Sequence, residues 1–224
     1  MKHFDRLAGE SARDYALKVL KANIVSLDLK PGTLISENEI SAELGISRTP
    51  LREAIIDLSK ASVIETYPQK GNFVALIDPK MVEEARFLRR VLDTAVIEAA
   101  CESINPADLD ILEDNVSLQE FYLEKGNAEK IYELDNMFHK AIYTAAQKDI
   151  IYDMSSTMMI HFDRVRTLSV ETVKDLKIVN DHRGMLEAIK KHDKENAVLL
   201  VNKHLSRYRF DEDNIRKNFP DFFK

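Results

Sequence analysis

The chain is poor in the residues that fix several common architectures. Cysteine occurs once among 224 residues, at Cys101, so no internal disulfide can form. Glycine occurs six times, with no Walker loop and no Gly-x-Gly-x-x-Gly fingerprint, which leaves little to build a phosphate cradle from. No uncharged apolar run approaches the ~20 residues needed to cross a bilayer. The opening MKHFDRLAGE has no apolar signal region. A soluble, cytoplasmic protein without membrane partners is expected. The length allows two modest domains, each with its own core. The formal net charge of −6 is unevenly placed: residues 1–77 hold ten Lys/Arg and ten Asp/Glu, so the acidic excess lies further on. A local surface rather than the global sum decides contact with phosphates.

The stretch from Ser36 to Val74 is the most informative. Ser36 and Glu39 form a capping box, and Ile40 and Leu44 give the helix that follows its buried side before Gly45 ends it. Ser47 is placed to cap a second helix, in which Leu51, Ala54, Ile55 and Leu58 fall on one stripe. Ser47, Arg48, Thr49 and Arg52 then sit near its N-terminus and away from or beside that stripe. This is the form of a helix-turn-helix offering a recognition helix to a major groove. Two β-favouring runs, Val63–Tyr67 and Asn72–Leu76, flank Pro68-Gln69-Lys70-Gly71 and predict a hairpin. Lys70 and Gly71 at its tip suit close approach to a phosphate backbone or minor groove.

SRTPLREAIIDLSKASVIETYPQKGNFV resembles the winged helix-turn-helix of the GntR family of bacterial transcription regulators, through its R-x-P-L-R-E-A run and the Gly at the wing tip. With the helix expected over 11–28 and Pro31-Gly32 after it, the resemblance extends from about Ser11 to Leu76. It implies that Arg48, Thr49 and Arg52 contact DNA from the recognition helix, and Lys70 and Gly71 from the wing. Asn38 departs from the cation that many members carry in the first helix of the motif.

Beyond the wing, Asp78-Pro79 predicts the start of a long helix reaching about Ser103, with Val82, Ala85, Leu88, Leu92, Ala95, Val96 and Ala99 buried. Breaks at Asn105-Pro106, Gly126-Asn127, Lys148-Asp149, Val170 to Thr172 and Asp193 then cut the chain after the wing into about six helices, that long one included. The expected fold is mainly α: a winged helix-turn-helix domain over 1–77, then an all-α antiparallel bundle over 78–224.

Helical spacing puts four ligand-type residues of that bundle inward. Asp135 and His139, one turn apart, edge the stripe of Leu134 and Phe138. His182 lies within the stripe Val179, Met185, Leu186, Ile189, and His204 within Ala197, Leu200, Val201, Tyr208. Burying four such groups without partners costs several kcal/mol, and one divalent cation satisfies them together. Imidazole with carboxylate suits Zn, Ni, Fe or Mn. His161 falls on another stripe, with Met154, Met158, Val165 and Leu168, while His192 reads as a solvated face and His3 as part of a tail.

This region is similar to the FCD domain of the FadR subfamily within GntR, through Arg89-Arg90-Val91-Leu92-Asp93, Asp135-x-x-x-His139, Asp181-His182-Arg183 and His204-Leu205, with Asp93 standing where Glu is usual. The resemblance implies metal ligation by Asp135, His139, His182 and His204, with open coordination positions for a small organic acid and Arg89 close by. His161 and Arg164 are further candidates to line that effector site, and Arg166 a weaker one. The function implied is a ligand-responsive regulator that binds a palindromic operator as a homodimer. The alternative from another class is a metal-dependent hydrolase using the Asp/three-His site, which lacks a His-Glu-x-x-His element. A di-iron bundle lacks its Glu-x-x-His pairs. The C-terminal Phe219-Pro220-Asp221-Phe222-Phe223 is equally suited to packing on its own chain or on a partner.

Overall fold

The computed structural model describes residues 1–2, 4–172, 177–206 and 212–224. His3 and Tyr208 lie outside the described residues. The chain divides into two compact units. The first comprises Met1–Glu83, Thr157–Thr167 and Arg216–Lys224, and the second Glu84–Ser156 and Leu168–Ile215.

In the first unit, α1 (Ala12–Val25) starts at Ser11, whose side chain accepts from the backbone N–H of Asp14, and buries Tyr15, Ala16, Val19, Leu20 and Ile24. α2 (Glu37–Leu44) is capped by Ser36, which accepts from the N–H of Glu39 at 3.4 Å, and ends at Gly45 with φ of 64°. α3 (Arg48–Lys60) buries the expected stripe of Leu51, Ala54, Ile55 and Leu58. Each large aliphatic side chain hidden in this way contributes about 1.5–3 kcal/mol. Ser47 occupies the N-cap position of α3, but its hydroxyl makes no capping bond.

The hairpin forms as β2 (Ile64–Tyr67) and β3 (Gly71–Val74), with Thr66 opposite Asn72 and Tyr67 opposite Gly71. A two-residue strand, β1 (Leu34–Ile35), joins the other edge of β3, so the order is β1-β3-β2. Gly71 has φ of 109°, and a Cβ there would come within 3.0 Å of Leu34 Cδ1. Only glycine fits that backbone and that space. The C-terminal aromatic segment packs on its own unit: Ile77 donates its N–H to Phe222 O at 2.8 Å and accepts from Lys224 N at 3.0 Å.

The remaining helices are α4 (Pro79–Ser103), α5 (Pro106–Glu124), α6 (Ala128–Ala145), α7 (Asp149–Thr172), α8 (Lys177–Lys190), α9 (Lys194–Ser206) and a short α10 (Glu212–Asn218). Asn105 and Asn127 cap α5 and α6 at the predicted breaks. In the second unit α5 packs on α6 and α8, and α8 on α9. The core between them gathers Val96, Ile97, Leu112, Val116, Phe138, Ile142, Met185, Leu186, Ile189 and Val201. α4 is rotated from the expected stripe: Ala95 is exposed, while Arg89 and Asp93 are buried beside Val96 and Ala100. The cause is polar. Arg89 Nε donates to Asp93 Oδ2 at 3.2 Å, and the Tyr143 hydroxyl donates to Asp93 Oδ1 at 2.7 Å, which turns that edge of the helix inward. On α7, Met154 is 77 % exposed, so the expected stripe does not extend back to it.

Candidate metal centre and nucleic-acid interface

Asp135 and His139 on α6, His182 on α8 and His204 on α9 are all buried, and their ligand atoms lie within 4.8 Å of one another. Nε2 of His139 and Nε2 of His204 are 3.3 Å apart, while Asp135 Oδ1 is 3.4 Å from Nε2 of His182 and 3.6 Å from Nε2 of His204. Two imidazoles thus turn Nε2 toward one carboxylate oxygen, and the third turns Nε2 toward His204.

The outer contacts determine which nitrogen carries the proton. Leu134 O can only accept, so Asn115 presents Nδ2 to it at 3.1 Å. Asn115 Oδ1 then accepts from Gln119 Nε2 at 2.6 Å, and Gln119 Oε1 is left to accept from Nδ1 of His182 at 2.7 Å. Asp93 Oδ2 faces Nδ1 of His139 at 3.1 Å, and Asp181 Oδ2 faces Nδ1 of His204 at 3.9 Å. The acceptors behind Nδ1 of His182 and of His139 favour the Nδ1–H tautomer there and leave Nε2 as the lone-pair nitrogen, whereas 3.9 Å is too long for a hydrogen bond to Nδ1 of His204. The 3.3 Å between Nε2 of His139 and Nε2 of His204 is closed either by one N–H donated to the other nitrogen or by a cation held between both. The donor set therefore fits a divalent transition metal, with the outer acceptors in the orienting role such sites use.

Burial works against ionisation of Asp93, but the hydrogen bond from His139, with Arg89 and Tyr143, outweighs it and holds the carboxyl well below the usual carboxylate range. Burial and the neighbouring Asp93 push the Tyr143 phenol up. A narrow recess beside the cluster is lined by Asp93, His139 and Tyr143 with aliphatic Val96, Ile97 and Val201. Arg89, expected near an effector, reaches this region through its pair with Asp93.

His161 and Arg164, expected at the same effector site, are committed elsewhere. Both belong to the first unit, where His161 Nε2 lies 2.7 Å from Ala61 O and Arg164 Nη1 donates to Ala75 O at 2.7 Å. The difference arises because this part of α7 turns them toward main-chain carbonyls of the winged domain. Burial pushes the Arg164 guanidinium down to about 10 and lowers His161 as well. Arg166 pairs with Asp163 at 2.8 Å. His192, expected on a solvated face, is exposed yet sets Nδ1 2.5 Å from Cys101 O. The outer partners Asn115 and Gln119 were missed from sequence, although an i, i+4 amide pair beside the buried Leu112 and Val116 of one helix was a readable signal.

On the winged domain Ser47, Arg48, Thr49, Arg52 and Lys70 are exposed, and Gly71 is half-buried. Arg48 and Arg52 both reach Glu37 of α2, at 3.4 and 2.6 Å. Among the described residues no helix is long and apolar enough to cross a membrane.

A winged helix-turn-helix followed by a helical bundle with a buried Asp/three-His cluster defines a two-part regulator. The chain belongs to the gntR family of bacterial regulatory proteins: residues 15–74 match that family, and residues 84–207 match the FCD domain. It is 31 % identical over 212 residues to an HTH-type transcriptional regulator in an unstable DNA locus of Streptomyces ambofaciens, covering 94 % of this chain and 89 % of that one. It is 28 % identical over 207 residues to the HTH-type transcriptional repressor RspR of Escherichia coli, covering 92 % and 91 %. The solved structure of E. coli McbR/YncC superposes with a TM-score of 0.80 at 21 % identity, over 93 % of this chain and 99 % of that one, and so shares the fold. The function is that of a bacterial transcriptional regulator with a DNA-binding domain and an FCD effector-binding domain. The matched families and relatives are transcriptional regulators and not enzymes, which replaces the hydrolase alternative.

Proposed function

We propose that this regulator works in the cytoplasm as a homodimer on a palindromic operator, and that a small organic acid bound beside a divalent transition metal controls it. Residues 1–77 act as the reader and 78–224 as the sensor. Ser47, Arg48, Thr49 and Arg52 enter the major groove, while Lys70 and Gly71 approach the backbone or minor groove. Asp135, His139, His182 and His204 hold the metal, and Arg89 is the basic group nearest the effector. A cation held by these four residues offers an incoming carboxylate its open coordination positions. The observation that supports the sensor half is the buried grouping of Asp135, His139, His182 and His204, with Nε2 of His182 and of His204 beside Asp135 Oδ1 and an acceptor behind Nδ1 of His182 and of His139.

The test is selection from a random duplex pool by the full chain, followed by a thermal-shift screen of organic acids. An inverted repeat with half-sites about one helical turn apart or closer is expected, with its affinity changed by the acid that stabilises the protein. Arg52→Ala is expected to abolish selective binding with the fold intact. Enrichment of no sequence, or of sequences without two-fold symmetry, would remove the dimeric reading.

A further inference from the structure

One carboxylate connects the three elements that the reader would present to DNA. Glu37, the first residue of α2, has a side chain only 19 % exposed. Its Oε2 accepts from Nε of Arg52 at 2.6 Å and from Nη2 of Arg48 at 3.4 Å, both on α3. Its Oε1 accepts from Nδ2 of Asn72 on β3 at 3.3 Å. Asn72 Oδ1 accepts in turn from Thr66 Oγ1 on β2 at 2.7 Å. The Glu37 carboxylate therefore bonds the recognition helix through one oxygen and the wing through the other.

We infer that Glu37 is a positioning residue for sequence readout, acting through Arg52 and the wing; this rests on the DNA-reading role proposed above. An arginine reads guanine with two parallel N–H groups aimed at O6 and N7. Arg52 is more than half exposed, and an unheld side chain of that length samples many rotamers before it reaches a base. Glu37 grips it by Nε and leaves the Nη1/Nη2 edge to face outward. Arg48 and Arg52 share a single carboxylate, so the group keeps a net positive charge, yet its attraction to phosphates of any sequence is reduced. Glu37 thus lowers indiscriminate binding and raises selective binding. The arm through Asn72 holds the wing in register with α3, so groove and backbone contacts form together.

The experiment compares full-length wild type, Glu37→Gln and Asn72→Ala on duplexes enriched by the wild type from a random pool and on scrambled duplexes of equal length, with a urea midpoint for each. Glu37→Gln is expected to bind scrambled DNA a few-fold more tightly, with a salt dependence steeper by up to about one released ion, and to lower the selected-to-scrambled ratio about tenfold. Glu37→Gln is expected to keep the urea midpoint of the wild type while the ratio falls, which a purely structural role for Glu37 does not produce. Asn72→Ala, which removes only the wing arm, is expected to lower the ratio about threefold. A ratio within twofold of wild type in Glu37→Gln, or a fall in the ratio accompanied by a lowered urea midpoint, overturns the inference. A pool in which the wild type enriches nothing overturns the DNA-reading role itself, a result separable from both of these.

Discussion

Asp93 Oδ2 lies 3.1 Å from Nδ1 of His139, and both side chains are buried. The carboxylate holds the imidazole in the tautomer that turns Nε2 toward His204. Arg89 and the Tyr143 hydroxyl hold the carboxylate in its turn. Asp93→Asn keeps the shape and removes the charge, and is expected to weaken metal binding about 10–100-fold. Competition against a chromophoric chelator measures this. Unchanged affinity would show that Asp93 serves only the fold.

Gly71 ends the wing turn in a backbone region that side chains avoid, with Leu34 Cδ1 3.0 Å from where a Cβ would lie. Gly71→Ala is expected to cost about 1–3 kcal/mol, read as a lower urea midpoint, and to weaken DNA binding without altering metal content. A wild-type midpoint would mean that the tip relaxes at no cost.

The helical architecture was readable because its signals are local: Ser11, Ser36, Asn105 and Asn127 each cap a helix where the chain calls for one. The buried grouping of Asp135, His139, His182 and His204 was readable because polar groups interrupt apolar stripes of α6, α8 and α9. β1 was not, since a two-residue strand carries no periodicity and depends on β3 as its partner. The rotation of α4 was equally hidden, because Ala95 is more apolar than Asp93 and only the tertiary contacts to Arg89, Tyr143 and His139 reverse their order. His161 and Arg164 share helical spacing with core residues, and spacing alone does not say which neighbour they meet.

His161 offers a pH test of the first unit. Its ring faces Ala61 O and Arg164, with Asp78 and Lys224 as further charged neighbours, and burial is the largest influence, lowering its pKa below 6.5. The unfolded chain then binds the proton more readily than the folded one. Stability is accordingly retained above about pH 6.5 and lost as pH falls through and below it. Urea midpoints at pH 7.5, 6.0 and 5.0 are expected to fall more steeply for wild type than for His161→Gln. Parallel curves would remove His161 from the pH response.

The central claim is that four side chains from three helices hold one metal ion. Elemental analysis of the full chain, expressed without a His tag and purified without chelators, tests it most directly. About one equivalent of Zn, Ni, Fe or Mn per chain is expected, falling below a tenth of an equivalent in a folded Asp135→Ala variant. A wild-type protein with no bound transition metal after incubation with each of these ions, or an equal metal content in both proteins, would contradict it.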